Sequence, residues 1–279
     1  MKRAIVFGAG GTGRRVYEMI KSIASVIAFV DNDVEKSGGV YDGIPIYTPE
    51  LLKYESYDVI YLGTLMGFNE VQSQLQLLGV PIEKLDKTYV EISVRSRIMF
   101  IKRLSERFRK ENISGSVAEA GVFRGEFAKE INLYFFDRKC YLFDTFSGFD
   151  ARDFKYEEKP SMTEDALHLR ETSENIVYNK MPYKEMVEIR KGYFPETTKG
   201  IEDIFAFVNL DMDLYQPTIE GLHFFYPKMS IGGIILIHDY FTEIYPNIEK
   251  AVSDFEKEIG FRLYKMPIGD DISLAIMRT

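Results

Sequence analysis

Twice along this chain a short apolar run ends in a glycine cluster and passes directly into helical periodicity, and few folds accommodate that pattern. In the first instance residues 3–9 lead into Gly8-Ala9-Gly10-Gly11-Thr12-Gly13, followed by apolar Val16, Ile20 and Ile23. In the second, Val117-Ala118-Glu119-Ala120 leads into Gly121-Val122-Phe123-Arg124-Gly125. A strand that turns over glycine into a helix, with further strands behind it, begins a parallel sheet with helical crossovers. Two such beginnings predict two α/β domains in series.

The first series continues with runs at 26–30, ending at Asp31, and 57–62, ending at Gly63. Helical periodicity at Val71, Leu75 and Leu78 stops near Gly79, which makes residues 1–92 a small Rossmann-like α/β domain. Residues 93–112 form one charged amphipathic helix with apolar Val94, Ile98, Ile101, Leu104 and Phe108, read as a connector. The second domain spans 113–279, with runs at 139–144, 187–190, 206–211 and 234–239. Its end differs: 262–267, a Gly269-Asp270-Asp271 turn and 273–278 read as an antiparallel hairpin. A doubly wound sheet closed by a reversed last strand is the architecture of class I (Rossmann-like) methyltransferases.

Composition removes other classes. A net charge of -8 argues against a nucleic-acid partner, which needs a basic face. The local cluster Lys102, Arg103, Arg107, Arg109 and Lys110 reads as the solvated side of the connecting helix. Cys140 is the only cysteine and lies in an apolar run, so it reads as a core residue with no disulfide. No segment approaches the roughly 18 uninterrupted apolar residues of a membrane span. The expectation is a cytoplasmic enzyme.

The first glycine cluster sits where a dinucleotide fingerprint belongs: after a strand, opening a helix, with Asp31 ending the next strand. Gly8, Gly10, Gly13 and Asp31 are the candidate nucleotide-binding residues. The alternative is a Rossmann half that uses its glycines for packing alone, and no hydride-transfer apparatus follows. The segments Ile5-Val6-Phe7-Gly8-Ala9-Gly10-Gly11-Thr12-Gly13-Arg14, Phe29-Val30-Asp31-Asn32-Asp33 and Gly43-Ile44-Pro45-Ile46-Tyr47 resemble the N-terminal domains of PglD-type sugar O-acyltransferases. That resemblance implies a fold able to hold a nucleotide-activated sugar.

In the second cluster an acid, Glu119, precedes the glycines. A carboxylate there repels a pyrophosphate and attracts a cationic amino-acid moiety. S-adenosylmethionine carries an ammonium, a sulfonium and no phosphate, so the order fits it. Asp144 ends the next strand, where an acid can accept from both ribose hydroxyls. The ordered set Glu119-x-Gly121-Val122-x-x-Gly125, Asp144-Thr145-Phe146-x-Gly148-Phe149, Gly192-Tyr193-Phe194-x-x-Thr197, Asp211-x-Asp213-Leu214-Tyr215-x-x-Thr218, Tyr226-Pro227-Lys228 and Gly232-Gly233 resembles the macrocin O-methyltransferase (TylF) family. The resemblance covers about residues 113–279. It implies methylation of sugar hydroxyls with S-adenosylmethionine and a divalent cation such as magnesium. It also implies cofactor contacts from Glu119, Gly121, Gly125, Asp144 and Thr145, with adenine near Gly192.

A metal site follows from the residues as well. Asp211 ends one strand and His238-Asp239 the next, and clustered carboxylates at one sheet edge call for a cation. Asp211, His238 and Asp239 are the candidate ligands, and Asp211, Asp213 or His238 the candidate base. Family members carry Asp-Asp-Tyr where this chain has His238-Asp239-Tyr240, which leaves the ion's identity open. The bland role for Asp213 is a helix N-cap. His223, among Leu222, Phe224 and Phe225, reads as packed. The polar insertion over about 150–185, containing Asp153, Tyr156, Glu157, Glu158, Met162, Asp165, His168 and Tyr183, is where acceptor specificity is expected.

The expected function is methyl transfer to a sugar hydroxyl, with a nucleotide-linked hexose or heptose of a surface polysaccharide as the favoured acceptor. The alternatives are an assembled glycan or natural product, a nicotinamide-dependent oxidoreductase on sugar nucleotides, and a non-catalytic sugar-nucleotide sensor. Family members are commonly oligomeric, and the hairpin and the 93–112 helix are candidate subunit contacts of a homo-oligomer.

Overall fold

Strands rich in β-branched and aromatic residues, apolar on both faces, belong in the interior of a parallel sheet, and each half of the chain supplies a set. The computed structural model describes residues 1–64, 68–157, 169–242 and 245–279. Two units result, Met1–Arg95 and Ser96–Thr279.

The N-terminal unit contains β1 (Lys2–Phe7), α1 (Gly11–Ile20), β2 (Ala24–Val30), β3 (Val40–Tyr41), β4 (Ile44–Tyr47), β5 (Val59–Leu62), α2 (Phe68–Leu77) and β6 (Leu85–Asp86). Its six-stranded sheet has the order β3-β4-β2-β1-β5-β6, parallel except for the β3–β4 pair. Alternation along β1 divides the core. Ile5 and Phe7 pack with Leu75 of α2, while Val6 packs with Val16, Tyr17 and Ile20 of α1.

The glycines of this unit do different work. A Cβ on Gly13 would lie 1.8 Å from the Gly8 carbonyl oxygen, and one on Gly63 would lie 2.4 Å from the Gly13 Cα. Gly8, Gly13 and Gly63 therefore let α1 press backbone to backbone on the ends of β1 and β5. Gly10 has an ordinary negative φ of -82° at the helix N-cap, and a Cβ there meets nothing within 4 Å.

The helix expected over 93–112 runs Thr88–Lys110 (α3) and contains the boundary between the units. Ile101, Leu104 and Phe108 are buried at helical spacing, but Val94, expected on the same stripe, is exposed. The basic cluster lies on the solvated side, with Arg103 paired to Glu106 (2.7 Å) and Arg107 to Glu111 (2.9 Å). Among the described residues no helix is long and apolar enough to cross a membrane.

The C-terminal unit continues with β7 (Ser116–Ala120), α4 (Glu126–Tyr134), β8 (Cys140–Asp144), α5 (Glu174–Lys180), β9 (Val187–Lys191), β10 (Phe205–Leu210), α6 (Tyr215–Phe225), β11 (Met229–Ile237), α7 (Asn247–Ile259), β12 (Tyr264–Pro267) and β13 (Leu274–Met277). The sheet order is β12-β13-β11-β10-β7-β8-β9. From β9 to β11 neighbours are parallel; β13 runs antiparallel to β11, and β12 to β13. This is the class I methyltransferase sheet with its reversed last strand. Val117, Leu142, Phe207 and Leu236 face Ile101, Leu104 and Phe108 of α3 and Ile131 of α4. Ala118, Phe143, Val208 and Ile235 face Leu222 and Phe225 of α6 and Val252 and Phe255 of α7. Cys140 is fully buried among these residues, as a core thiol should be. The chain leaves β7 outward through β8 and β9, then returns to place β10 on the other side of β7. That reversal opens a crevice at the carboxyl ends of β7 and β10.

Gly13→Ala is expected to cost about 3 kcal/mol or more, because backbone must move, and Gly10→Ala less than about 0.5 kcal/mol. Urea-unfolding midpoints of the two variants check the contrast.

Candidate active site

The sheet extends by one residue past most of its strand ends, and those residues make up the site. Gly192 N–H donates to the Asp144 carbonyl (2.9 Å), Gly121 N–H to Phe143 (2.9 Å), Asp211 N–H to Ala120 (2.8 Å) and His238 N–H to Leu210 (2.9 Å). Gly192, Asp144, Gly121, Asp211 and His238 thus stand side by side along one edge, in the order of β9, β8, β7, β10 and β11. Gly121 has φ +85°, and a Cβ on it would lie 1.7 Å from the Asp211 carbonyl oxygen. Gly125, at φ +78°, turns the loop into α4. Phe123, Phe146, Asp213 and Asp239 adopt positive φ without being glycine, each in a loop leaving this edge.

Asp144 serves the loop as well as the pocket. Its Oδ2 accepts from the backbone N–H of Val122 and Phe123 (both 2.8 Å), and Oδ1 from Phe146 (2.7 Å). Oδ1 keeps an acceptor position for a hydroxyl. Burial raises the Asp144 pKa, and the three N–H donors work against that shift. The hydroxyl of Thr145, expected to contact a cofactor, instead donates to Gly148 O (2.5 Å) and accepts from Ser147 N–H (3.2 Å), closing its own turn.

Glu119 is buried, and its Oε1 accepts from Asn209 Nδ2 (2.8 Å). Its Oε2 is buried with no hydrogen-bond partner among the described residues. Burial, and after it the Asp211 charge, push the Glu119 pKa up to about 8, with Arg97 opposing. A buried carboxyl oxygen with no partner is costly unless a ligand satisfies it.

Beside it, the candidate ligand atoms of Asp211, His238 and Asp239 all lie within 4.8 Å of one another. His238 Nδ1 is 2.8 Å from Asp239 Oδ2 and 3.1 Å from Asp211 Oδ1, while Arg97 Nη2 is 3.0 Å from Asp211 Oδ2. Burial and the Arg97 charge lower the His238 pKa, but the two carboxylates carry it up to about 10. Burial alone raises Asp211; His238 and Arg97 overrule it and hold this carboxyl well below the usual range. Asp213 goes the other way. Burial first, then Asp239 and Asp211, push it far up, and its carboxyl hydrogen-bonds to Asp239.

This edge, with an unmatched buried acid beside a carboxylate–imidazole cluster, coincides with a family assignment. The family model described as Macrocin-O-methyltransferase (TylF) matches residues 84–268. The chain belongs to this family. Residues 1–85 match a C2185-like N-terminal domain. The chain is 28% identical over 178 residues to the demethyldecarbamoylnovobiocin O-methyltransferase of Streptomyces niveus, covering 57% of this chain and 64% of that relative, less than two thirds of its length. It is 27% identical over 179 residues to the mycinamicin III 3''-O-methyltransferase of Micromonospora griseorubida, covering 59% and 69% of the two chains. The structure of the O-methyltransferase NovP aligns with a TM-score of 0.56 at 26% identity, over 66% of this chain and 80% of that one.

Within this TylF member two residues hold roles that the sequence reading did not give them: Arg97, not named there as a candidate, and Glu157, named there only within the insertion. Arg97 lies on α3 one helical turn before Ile101, so a cation on the buried stripe was the available signal. Glu157 had none. Its Oε1 accepts from Tyr215 N–H (2.8 Å) and its Oε2 from Asn247 Nδ2 (2.7 Å), across long sequence separations. The N-cap of α6 is Leu214, which has no capping side chain, so Glu157 does the capping proposed for Asp213.

The remaining expectations divide. His223 is exposed, not buried: its ring lies 5.4 Å from that of Phe255 and its Nε2 2.6 Å from Glu258 Oε2. Glu158, Met162, Asp165 and His168 lie outside the described residues. In the N-terminal unit, Asp31 Oδ2 accepts from Ala9 N–H (2.7 Å) and Lys36 Nζ (3.3 Å), and Oδ1 from Asp33 N–H (2.9 Å), closing the glycine loop from within.

Glu157→Ala is expected to lower stability by about 1 kcal/mol through loss of the cap, with Glu157→Gln recovering most of it. Chemical denaturation of the two variants tests this.

Proposed function

We propose that this protein is an S-adenosylmethionine-dependent, divalent-cation-assisted O-methyltransferase acting on a sugar hydroxyl. Its favoured acceptor is a nucleotide-activated hexose or heptose used in surface polysaccharide biosynthesis. The observation that carries the proposal is the unmatched buried oxygen of Glu119 next to the Asp211–His238–Asp239 cluster. The named activities of two TylF relatives, a demethyldecarbamoylnovobiocin O-methyltransferase and a mycinamicin III 3''-O-methyltransferase, support the reaction class.

The residues fit both groups. Glu119 Oε2 suits the cofactor's ammonium, the open acceptor position on Asp144 suits the ribose, and the segment at Gly192 borders the same edge. When bound, S-adenosylmethionine supplies an electrophilic methyl group on a sulfonium. Asp211, His238 and Asp239 form a two-carboxylate, one-imidazole set of suitable spacing for a divalent cation. Magnesium prefers all-oxygen ligands, so the imidazole widens the choice toward more borderline ions. A cation held there supplies Lewis acidity toward a sugar hydroxyl.

The chain's own contribution is orientation and proton handling. The proposed cofactor residues on β7 and β8 and the proposed cation ligands after β10 and β11 share one edge, which supports a role in bringing donor and acceptor together. Burial, and then the facing Asp239 and Asp211 carboxylates, hold Asp213 toward its protonated form; a cation bound by those two carboxylates would offset their charge and make Asp213 the candidate base for the hydroxyl proton. In the N-terminal unit a Cβ on Gly10 would meet nothing within 4 Å, so the side of the α1 N-terminus that it faces is free of packing, and the PglD-type resemblance supports a nucleotide-linked sugar as ligand class.

Purified protein given S-adenosylmethionine and a panel of sugar nucleotides is expected to release S-adenosylhomocysteine with one of them. EDTA should abolish turnover, and Asp239→Ala should reduce it about a hundredfold or more. Turnover only on an assembled glycan would move the acceptor. Binding of NADH with no affinity for S-adenosylmethionine would overturn the proposal.

A further inference from the structure

Arg97 precedes every motif that delimits the site, yet it touches both of its halves. The same nitrogen, Nη2, donates to Asp211 Oδ2 (3.0 Å) and Asn209 Oδ1 (3.2 Å). Asn209 passes the order on, since its Nδ2 donates to Glu119 Oε1 (2.8 Å). The guanidinium lies 3.8 Å from the centroid of the Phe127 ring on α4, and the side chain is only 13% exposed.

Two consequences follow from donor and acceptor chemistry. An amide carries one acceptor and one donor end, so a donor fixed on Asn209 Oδ1 turns Nδ2 toward Glu119. That occupies Oε1 and leaves Oε2 as the unmatched oxygen. In Asp211, Arg97 takes Oδ2, so Oδ1 is the oxygen that stands with His238 Nδ1 at 3.1 Å. Stacking on Phe127 holds the guanidinium plane, which makes it a rigid reference for both acids.

We propose that Arg97 is a positioning residue that sets the cofactor-binding acid and the cation-binding carboxylate together: Glu119 through Asn209, and Asp211 directly. The inference rests on the binding roles assigned to those acids under Proposed function. It goes beyond charge balance, because a cation needed only to neutralise Asp211 requires neither the amide relay nor a stacked plane.

The test uses the full-length protein with Arg97→Met and Arg97→Lys. Mn2+ binding is read from the electron paramagnetic resonance signal of the free ion, S-adenosylhomocysteine binding by calorimetry, and folding by thermal melt. Arg97→Met is expected to weaken Mn2+ binding about 10–100-fold, the usual effect of removing a partner that orients a ligand, and to weaken S-adenosylhomocysteine by about tenfold. Arg97→Lys keeps the charge but not the plane and should recover both affinities only in part. A folded Arg97→Met that binds both ligands like the wild type overturns the inference. If that variant does not fold, Arg97→Lys decides: wild-type affinities in it mean a counter-charge alone and also overturn the inference. Wild-type protein that binds S-adenosylhomocysteine but no Mn2+ defeats the cation assignment under Proposed function. The Glu119 branch of the inference is then decided by the S-adenosylhomocysteine affinities.

Discussion

The backbone contact between Gly121 and the Asp211 carbonyl governs the C-terminal unit. With no Cβ at Gly121, the loop leaving β7 lies directly against the chain leaving β10; any side chain would place a carbon 1.7 Å from that oxygen. This contact sits where strand order reverses, so it draws together two loops that the sheet otherwise sends to opposite helical layers. Glu119, two residues before Gly121, and the Asp211–Asp213 loop become neighbours as a result. The hydrogen bonds that carry the sheet one residue further then line up Gly192, Asp144 and His238 on the same edge.

Bringing acids together at a protein edge has an electrostatic cost, and the unit meets it in three ways. Asp144 is surrounded by backbone N–H donors. Asp211 is held ionised between His238 and Arg97. For Glu119 and Asp213 burial outweighs the opposing charges of Arg97 and His238, and their pKa values rise. Perturbed acids of this kind mark a candidate functional site. A cluster with every charge already matched would be a structural feature and no more.

Much of this was legible from local pattern. The strand runs, the glycine turns and the antiparallel hairpin are short-range features, and Glu119, Asp144, Asp211 and Asp239 announce themselves by ending or flanking strands that share one edge. What escaped was set by distant partners. Glu157 caps a helix across a long loop because Leu214 cannot, and no spacing rule connects it to Tyr215. Arg97 acquires its meaning from Asn209 and Asp211, although a cation on a buried helical stripe was a visible irregularity. Thr145, named for the cofactor by motif, also closes its own turn through its hydroxyl, which no spacing announced. His223, flanked in sequence by apolar residues, faces outward because α6 buries only one side.

The proposed function requires that Glu119, the acid before the glycine turn, receive the amino-acid end of S-adenosylmethionine. Calorimetric titration of the wild-type protein with S-adenosylhomocysteine and with 5'-methylthioadenosine, which lacks that end, tests it most directly. Clearly tighter binding of S-adenosylhomocysteine is expected, with the difference collapsing in Glu119→Gln. Equal affinities for the two ligands, or a difference unchanged by that substitution, would contradict it.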